Sequence, residues 1–326
     1  MSVICISHKE DADGLCSAAI IKAAVDASKV VLVDYSNMIS KLEKIAESPD
    51  KIEELFVCDL GLSKKNEARF VELLAGVAAA GATVTYIDHH DAGKDVIAGL
   101  KKAGVTLVHT VDECTSVQAY TRYRKKLPAQ AAFLAAVGAL TDYMETKPLA
   151  SLIVPKFDRQ FLMLESTALS YMISANQHND EFLAKAVDTL AKMKYPHDIK
   201  GGFEVAEKYA KSVAKAVESI QDSIVKLENV AHAPSTVELS SSMVVNFVLG
   251  ASEKPVAMVY KLKDDIKSYI LSIRGSSDCK IHLGRLVNEV ASSLGGSGGG
   301  HDRACGAVIP KDRLEEFIGT MNSRVG

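Results

Sequence analysis

The sequence predicts an α/β protein: an N-terminal lobe on a largely parallel sheet, a linker helix, and a smaller C-terminal α+β lobe. Up to about Asp142, short apolar strand-like runs alternate with longer helical stretches, the spacing of βαβ units. After Pro234 the texture changes to paired strands, single helices and a glycine tract. Several apolar elements also stop at acidic or histidine residues, and the carboxyl ends of parallel strands are where α/β sheets bind ligands.

Taken in order, the first predicted strand, Val3 to Ser7, runs into His8-Lys9-Glu10-Asp11-Ala12-Asp13-Gly14, and a helix follows over Leu15 to Ala27. Val30 to Tyr35 is the second strand, with a helix over Met38 to Ala46 after it. The third, Leu55 to Cys58, ends at Asp59-Leu60-Gly61; its helix spans Lys64 to Ala80, with Ser63 placed to cap it and Gly81 to stop it. Thr83 to Ile87 ends at Asp88-His89-His90, and a helix over Asp95 to Ala103 follows. Val105 to His109 leads to a helix over Ser116 to Lys126, opened by Thr115-Ser116, whose hydroxyls read as an N-cap, with phosphate binding at the helix N-terminus as the alternative. An Ala-rich helix over Ala129 to Leu140 ends at Asp142, its small residues implying close packing beneath the strand ends. Phe157 to Lys194 continues helical, and Phe203 to Glu228 reads as one long helix joining the lobes.

In the second lobe, Val256 to Lys261 and Ser268 to Arg274 read as adjacent strands around Lys263-Asp264-Asp265. Ile281 to Leu294 is a helix, Ala304 to Pro310 a strand and Asp312 to Met321 a closing helix. Gly295 to Gly300 reads as a turn that cradles phosphate, because glycine lets backbone N–H groups approach an anion closely.

Composition narrows the class. Nearly half of the 326 residues are hydrophobic, so two cores can be filled. No Lys/Arg-rich leader with an apolar signal segment and no apolar run of ~18 residues is seen, which predicts a cytoplasmic protein without a membrane partner. Six scattered cysteines without a Cys-x-x-Cys pair argue against a zinc ribbon and read as small buried hydrophobes. A net charge of −3 gives no overall cationic field for long nucleic acid, so any grip on phosphates is local. The run Arg122, Arg124, Lys125, Lys126 reads as a solvated helix end, and His178, His197, His232 and His282 as surface residues, with His109 undecided.

The polar stops share one chemistry. Carboxylates with a few imidazoles and no thiolate suit Mn²⁺ or Mg²⁺, with zinc or cobalt as alternatives. The set Asp11-x-Asp13, Asp59, Asp88-His89-His90 and Asp142, followed by Gly298-Gly299-Gly300-His301, resembles the DHH phosphoesterase superfamily with its associated C-terminal Gly-Gly-Gly-His domain, in the group of RecJ-like and nano-RNase or NrnA-like proteins. The resemblance implies a metal-binding phosphoesterase domain over residues 1–195, a linker helix over 196–230 and a substrate-binding domain over 231–326. It also implies two Mn²⁺ ions per chain, with Mg²⁺ or Co²⁺ as substitutes: His8 and Asp11 on one, Asp13, His89 and Asp142 on the other, and Asp59 on both. Asp88 would orient an imidazole and His90 contact the scissile phosphate. Arg274, Gly298, Gly299, Gly300 and His301 would bind the nucleotide and its terminal phosphate. One departure stands out: the first motif reads His8-x-x-Asp11-x-Asp13, a spacing unlike that of several branches, which leaves Glu10 or water as alternatives to His8.

The implied activity is exonuclease-type hydrolysis of short oligoribonucleotides, extending to 3′-phosphoadenosine 5′-phosphate. Cyclic or linear dinucleotides of the c-di-AMP or pApA type are the rival substrates. A RecJ-like single-strand DNA exonuclease is disfavoured by the lack of a basic track, a pyrophosphatase by the glycine motif, and an inactive replisome scaffold by the intact carboxylates. Oligomeric state is left open, with a homodimer among the options.

Overall fold

The alternation of apolar runs builds the elements that the spacing predicts. The computed structural model describes residues 2–235, 239, 241–300 and 302–326. Two units divide between Tyr209 and Ala210. The first contains β1 (Ser2–His8), α1 (Ala12–Val25), β2 (Lys29–Val33), α2 (Met38–Ala46), β3 (Ile52–Cys58), α3 (Lys64–Ala79), β4 (Thr83–Asp88), α4 (Lys94–Lys102), β5 (Thr106–His109) and α5 (Thr115–Tyr123). Then come α6 (Ala131–Thr141), α7 (Ala150–Ile153), α8 (Arg159–Ala175), α9 (Asp180–Ala191) and α10 (Gly202–Gln221), the last crossing the division.

All five strands of the first sheet run parallel in the order β2-β1-β3-β4-β5. Central strands of such a sheet are covered on both faces, so β1 from Ile4 onward and β3 from Leu55 onward are buried without alternation. One face packs under α1, α5, α6, α8 and α9, the other under α2, α3 and α4. Strand order reverses between β1 and β3, and at such a switch point the loops after the two strands part to leave a crevice. His8 ends β1 and Asp59 follows β3, so the topology sets both beside that crevice.

The second unit holds β6 (Val225–Lys226), β7 (Val230–Pro234), α11 (Ser241–Ser252), β8 (Val256–Lys263), β9 (Ser268–Gly275), α12 (Leu283–Ser293), β10 (Ser297–Gly300), β11 (Ala304–Pro310) and α13 (Leu314–Val325). Its sheet runs β10-β11-β9-β8-β7-β6, antiparallel except for the β7–β8 pair. Two expectations change here. The helix expected to reach Glu228 ends at Gln221, because Val225-Lys226 pairs with His232 and Ala231 instead. The glycine tract is an edge strand and not a turn: Ser297 to Gly300 pair with Val308 to Cys305. Close packing explains Gly298, since a Cβ there would lie 2.9 Å from Val287 of α12 and 3.0 Å from the Gly306 carbonyl.

Candidate metal centre

The loop after β1 folds onto the start of α1. Asp11 is the N-cap of α1; its Oδ1 accepts from the Gly14 N–H at 2.9 Å, and its Oδ2 lies 2.8 Å from His8 Nδ1. A Cβ on Gly14 would sit 2.4 Å from the His8 carbonyl oxygen, so this glycine is what lets the loop close. Asp13, in the first turn of α1, points the other way and is fully buried. Its carboxylate accepts from the backbone N–H groups of Thr115 (2.7 Å) and Ser116 (2.9 Å), the first two residues of α5. Those donors and the positive helix end hold a buried anion in place. Thr115 and Ser116 therefore do not cap α5 with their hydroxyls; Cys114 is at the cap position, and the Thr115 hydroxyl donates to Asp59 Oδ1 at 3.0 Å. Ser63 likewise makes no capping hydrogen bond to α3.

Asp59 is 1 % exposed and has φ 57°, the left-handed region that costs a non-glycine residue ~1–2 kcal/mol. That backbone turns its carboxylate to face two histidines at once. Oδ2 lies 3.9 Å from His8 Nδ1 and Oδ1 lies 3.4 Å from His89 Nε2. His89 Nε2 is also 3.4 Å from Asp142 Oδ2, at the end of α6. Donor atoms thus gather into His8, Asp11 and Asp59, into Asp13, His89 and Asp142, and into Asp59, His89 and His90, all within 4.8 Å in each group.

Asp88 stands behind this cluster. It is buried, accepts from Tyr86 Oη and from His90 Nδ1 (2.8 Å), and its backbone carbonyl accepts from Gln118 Nε2 at 3.0 Å. His109 lies within hydrogen-bond distance of the His90 carbonyl, at 2.7 Å from Nε2, which gives that undecided residue a structural place. Tyr35, after β2, puts its ring 4.7 Å from that of His8 and its Oη 3.4 Å from His90 Nε2. Neither Tyr35 nor Gln118 carries a local signal by which the sequence could single it out. One other histidine is less exposed than expected: His232 is buried on β7, while His197 is exposed as expected and pairs with the buried Glu165 at 2.7 Å.

Electrostatics single out the same residues. Burial, then the Asp11 and Asp13 carboxylates, push Asp59 up to about 7, and burial with Asp13 and Asp11 raises Asp142 well above the usual carboxylate range. Burial opposes charge on His8, yet Asp11 and Glu10 lift it to about 11; burial opposes it on His89, yet Asp59 and Asp13 lift it to about 10. Carboxylates crowded this closely demand positive charge, from protons or from a metal. His8 Nε2 is buried without a hydrogen bond, Glu10 Oε2 being 3.4 Å away. Hard oxygen donors, available imidazoles and this unsatisfied nitrogen fit divalent cations.

A pH dependence follows. Asp59, His8 and His89 all have folded pKa values raised above their ordinary ones, so each binds its proton more tightly in the folded chain. Their stabilisation is complete below the unfolded pKa and is lost as pH rises through about 7, 11 and 10 respectively. Metal-free protein is therefore expected to melt at progressively lower temperature as pH rises from 6 to 9, and Mn²⁺ to raise the melting temperature more at pH 9 than at pH 6. A metal-free melting temperature that climbs over this range contradicts the assignment.

In the second unit, Gly299 and Gly300 line a hollow of about 370 Å³ together with His282, Arg285, Asn288 and Glu289 of the α12 region. Asn288 Nδ2 donates to the Gly298 carbonyl at 2.8 Å. Arg274, next to the last residue of β9, lies opposite Ala304, which neighbours Cys305, the partner of Gly300. Arg274 and the glycines thus share one end of the sheet, and His301 lies outside the described residues.

Two domain families match this chain: the DHH family N-terminal domain over residues 2–139 and the DHHA1 domain over residues 231–326. These two matches together cover most of the chain, which belongs to the DHH superfamily. It is 27 % identical over 182 residues to an uncharacterized protein of Methanocaldococcus jannaschii, covering 54 % of this chain and 39 % of that one. It is 25 % identical over 121 residues to the alanine–tRNA ligase of Korarchaeum cryptofilum, covering 35 % and 13 %. The matches thus span well under half of either relative. Among solved structures, a pGpG-specific phosphodiesterase, PggH of Vibrio cholerae, has TM-score 0.64 at 12 % identity, covering 99 % of this chain and 98 % of that one. RecJ of Thermus thermophilus with Mn²⁺ has TM-score 0.63 at 17 % identity, covering 99 % and 52 %. Among the described residues no helix is long and apolar enough to cross a membrane.

Proposed function

We propose that the protein is a divalent-cation-dependent phosphodiesterase that hydrolyses short oligonucleotides or dinucleotides, using two Mn²⁺ ions for which Mg²⁺ or Co²⁺ can substitute. One observation carries this reading: the two oxygens of Asp59 face His8 and His89, each at the head of a separate donor group. His8 and Asp11 would hold one ion, Asp13, His89 and Asp142 the second, with Asp59 shared. Bound there, such ions supply Lewis-acid polarisation of a phosphoryl oxygen and a water of lowered pKa. The chain's own part is orientation. The N-terminus of α5 fixes Asp13, and Asp88 fixes His90 so that its Nε2 faces Tyr35 and an incoming phosphate oxygen. Arg274, Gly298, Gly299, Gly300 and His301 would bind the nucleotide and its terminal phosphate. A net charge of −3 favours a short substrate over a long polyanion.

Tyr143, directly after Asp142, is 83 % exposed and held at φ 57°, and would offer its ring to a nucleobase. Stacking is worth ~1–3 kcal/mol per base, so Tyr143→Ala is expected to raise KM for a dinucleotide by about tenfold while bis-p-nitrophenyl phosphate is cleaved as before. Equal effects on the two substrates would remove Tyr143 from base recognition. The substrate class itself is tested with Mn²⁺ against short RNA and DNA, cyclic dinucleotides, 3′-phosphoadenosine 5′-phosphate and pyrophosphate. Rapid turnover of the short RNA or the dinucleotides is expected. Faster degradation of long single-stranded DNA would overturn the proposal.

A further inference from the structure

A cavity of about 510 Å³ opens along β2, and its composition is unlike that of the metal centre. β2, Lys-Val-Val-Leu-Val, is the edge strand of the parallel sheet, hydrogen-bonded on one side to β1. Lys29 is exposed, and Val30, Val31 and Leu32 are only half-buried. Among the described residues, the backbone of residues 30–32 makes no hydrogen bond beyond the β1 ladder. The walls come from helices on the two faces of the sheet: Lys41, Lys44 and Ile45 of α2 on one, Asp180 and Ala184 of α9 on the other. The strand edge therefore runs along a groove. A β-branched edge strand in such a position is a template for another strand unless something blocks it.

Charge selects the occupant. Lys29, Lys41, Lys44 and Lys51 line the groove against one carboxylate, Asp180, which is already paired with Lys9 at 2.9 Å. We propose that this groove docks an extended acidic segment of a partner protein, which adds as a strand beside β2 with its carboxylates against the four lysines. Main-chain hydrogen bonds to the open edge would supply affinity; alternate apolar side chains would lie beside Val30 and Leu32 on the α9 face, and the acids between them beside Val31 on the α2 face. A second copy of this chain fits poorly, because pairing β2 with β2 sets one lysine group against another. A nucleotide fits poorly as well: no aromatic or arginine side chain lines the groove to stack on a base.

The test uses the full chain and synthetic peptides of about eight residues that alternate Asp or Glu with Val or Ile, long enough to cover the five residues of β2. Saturable binding below about 1 mM is expected, with slowed amide exchange at residues 29–33. The double variant K41E/K44E should weaken it at least about tenfold, as should replacing the peptide's acids by lysine. Hydrolysis of bis-p-nitrophenyl phosphate by K41E/K44E should be unchanged, which separates this site from the metal centre. Binding that ignores the lysine changes, no binding by any peptide of the set, ATP or short RNA occupying the lysines without protecting the β2 amides, or self-association through β2 would each overturn the proposal.

Discussion

Asp59→Asn is expected to lower Mn²⁺-dependent turnover of a dinucleotide by about 10³-fold or more, since under the proposed mechanism several kcal/mol of charge stabilisation would depend on Asp59 as the shared ligand, at 1.36 kcal/mol per decade. Asn is the informative substitution because it keeps the side-chain shape and tolerates the left-handed backbone found at φ 57°. Asp59→Ala removes the carboxylate as well but adds backbone strain. Asp11 serves one donor group and keeps about 41 % of its side chain exposed, so Asp11→Asn should lose less. Metal content near two per chain in the wild type should fall in Asp59→Asn while the melting curve keeps its cooperativity. Both ions retained with full activity would remove Asp59 from the shared position.

Gly138→Ala is expected to lower metal affinity or activity ~10–100-fold, although glycine 138 can touch neither metal nor substrate through a side chain it lacks. It lies in α6, where an added Cβ would come within 2.1 Å of Ser116 Oγ and 2.4 Å of Asp13 Oδ1. Ser116 opens α5, whose N–H groups hold Asp13, so the methyl group would force the carboxylate or the helix end to move. Overpacking of this kind costs ~1–3 kcal/mol, and disturbing the support of a metal ligand costs ~10–100-fold in metal affinity or activity. Gly76→Ala is the control: it sits within α3 with nothing within 4 Å of the new Cβ and should be neutral or slightly stabilising. Gly138→Ala with wild-type Mn²⁺ affinity would show that α6 can yield, and that Asp13 is not held as tightly as the geometry implies.

These two residues mark what was legible beforehand. Asp59 stands out in the sequence as a lone acid after the apolar run Leu55 to Cys58, because a buried parallel strand has no other reason to end on a carboxylate. The same logic singles out His8, Asp11, Asp13, His89 and Asp142, which the fold gathers at the β1/β3 switch point. Gly138 reads as one small residue in an Ala-rich helix, since its meaning depends on Asp13 lying against it, 125 positions away in the chain. Thr115 and Ser116 resemble a local cap, yet their N–H groups serve a carboxylate 102 and 103 positions away. Tyr35 and Gln118 are invisible for the same reason. In the second unit the glycine tract misleads because glycine signals turns by its own conformational freedom. Here it pairs as a strand: α12 and β11 approach too closely for a side chain at Gly296, Gly298 and Gly300, and Gly299 and Gly300 take φ of 155° and 139°.

Anomalous diffraction at the manganese edge, from crystals grown with Mn²⁺, tests the proposed two-ion centre directly. The account predicts two peaks per chain, one among His8, Asp11 and Asp59 and the other among Asp13, His89 and Asp142, with Asp59 touching both. A single peak, or peaks away from Asp59, would contradict it.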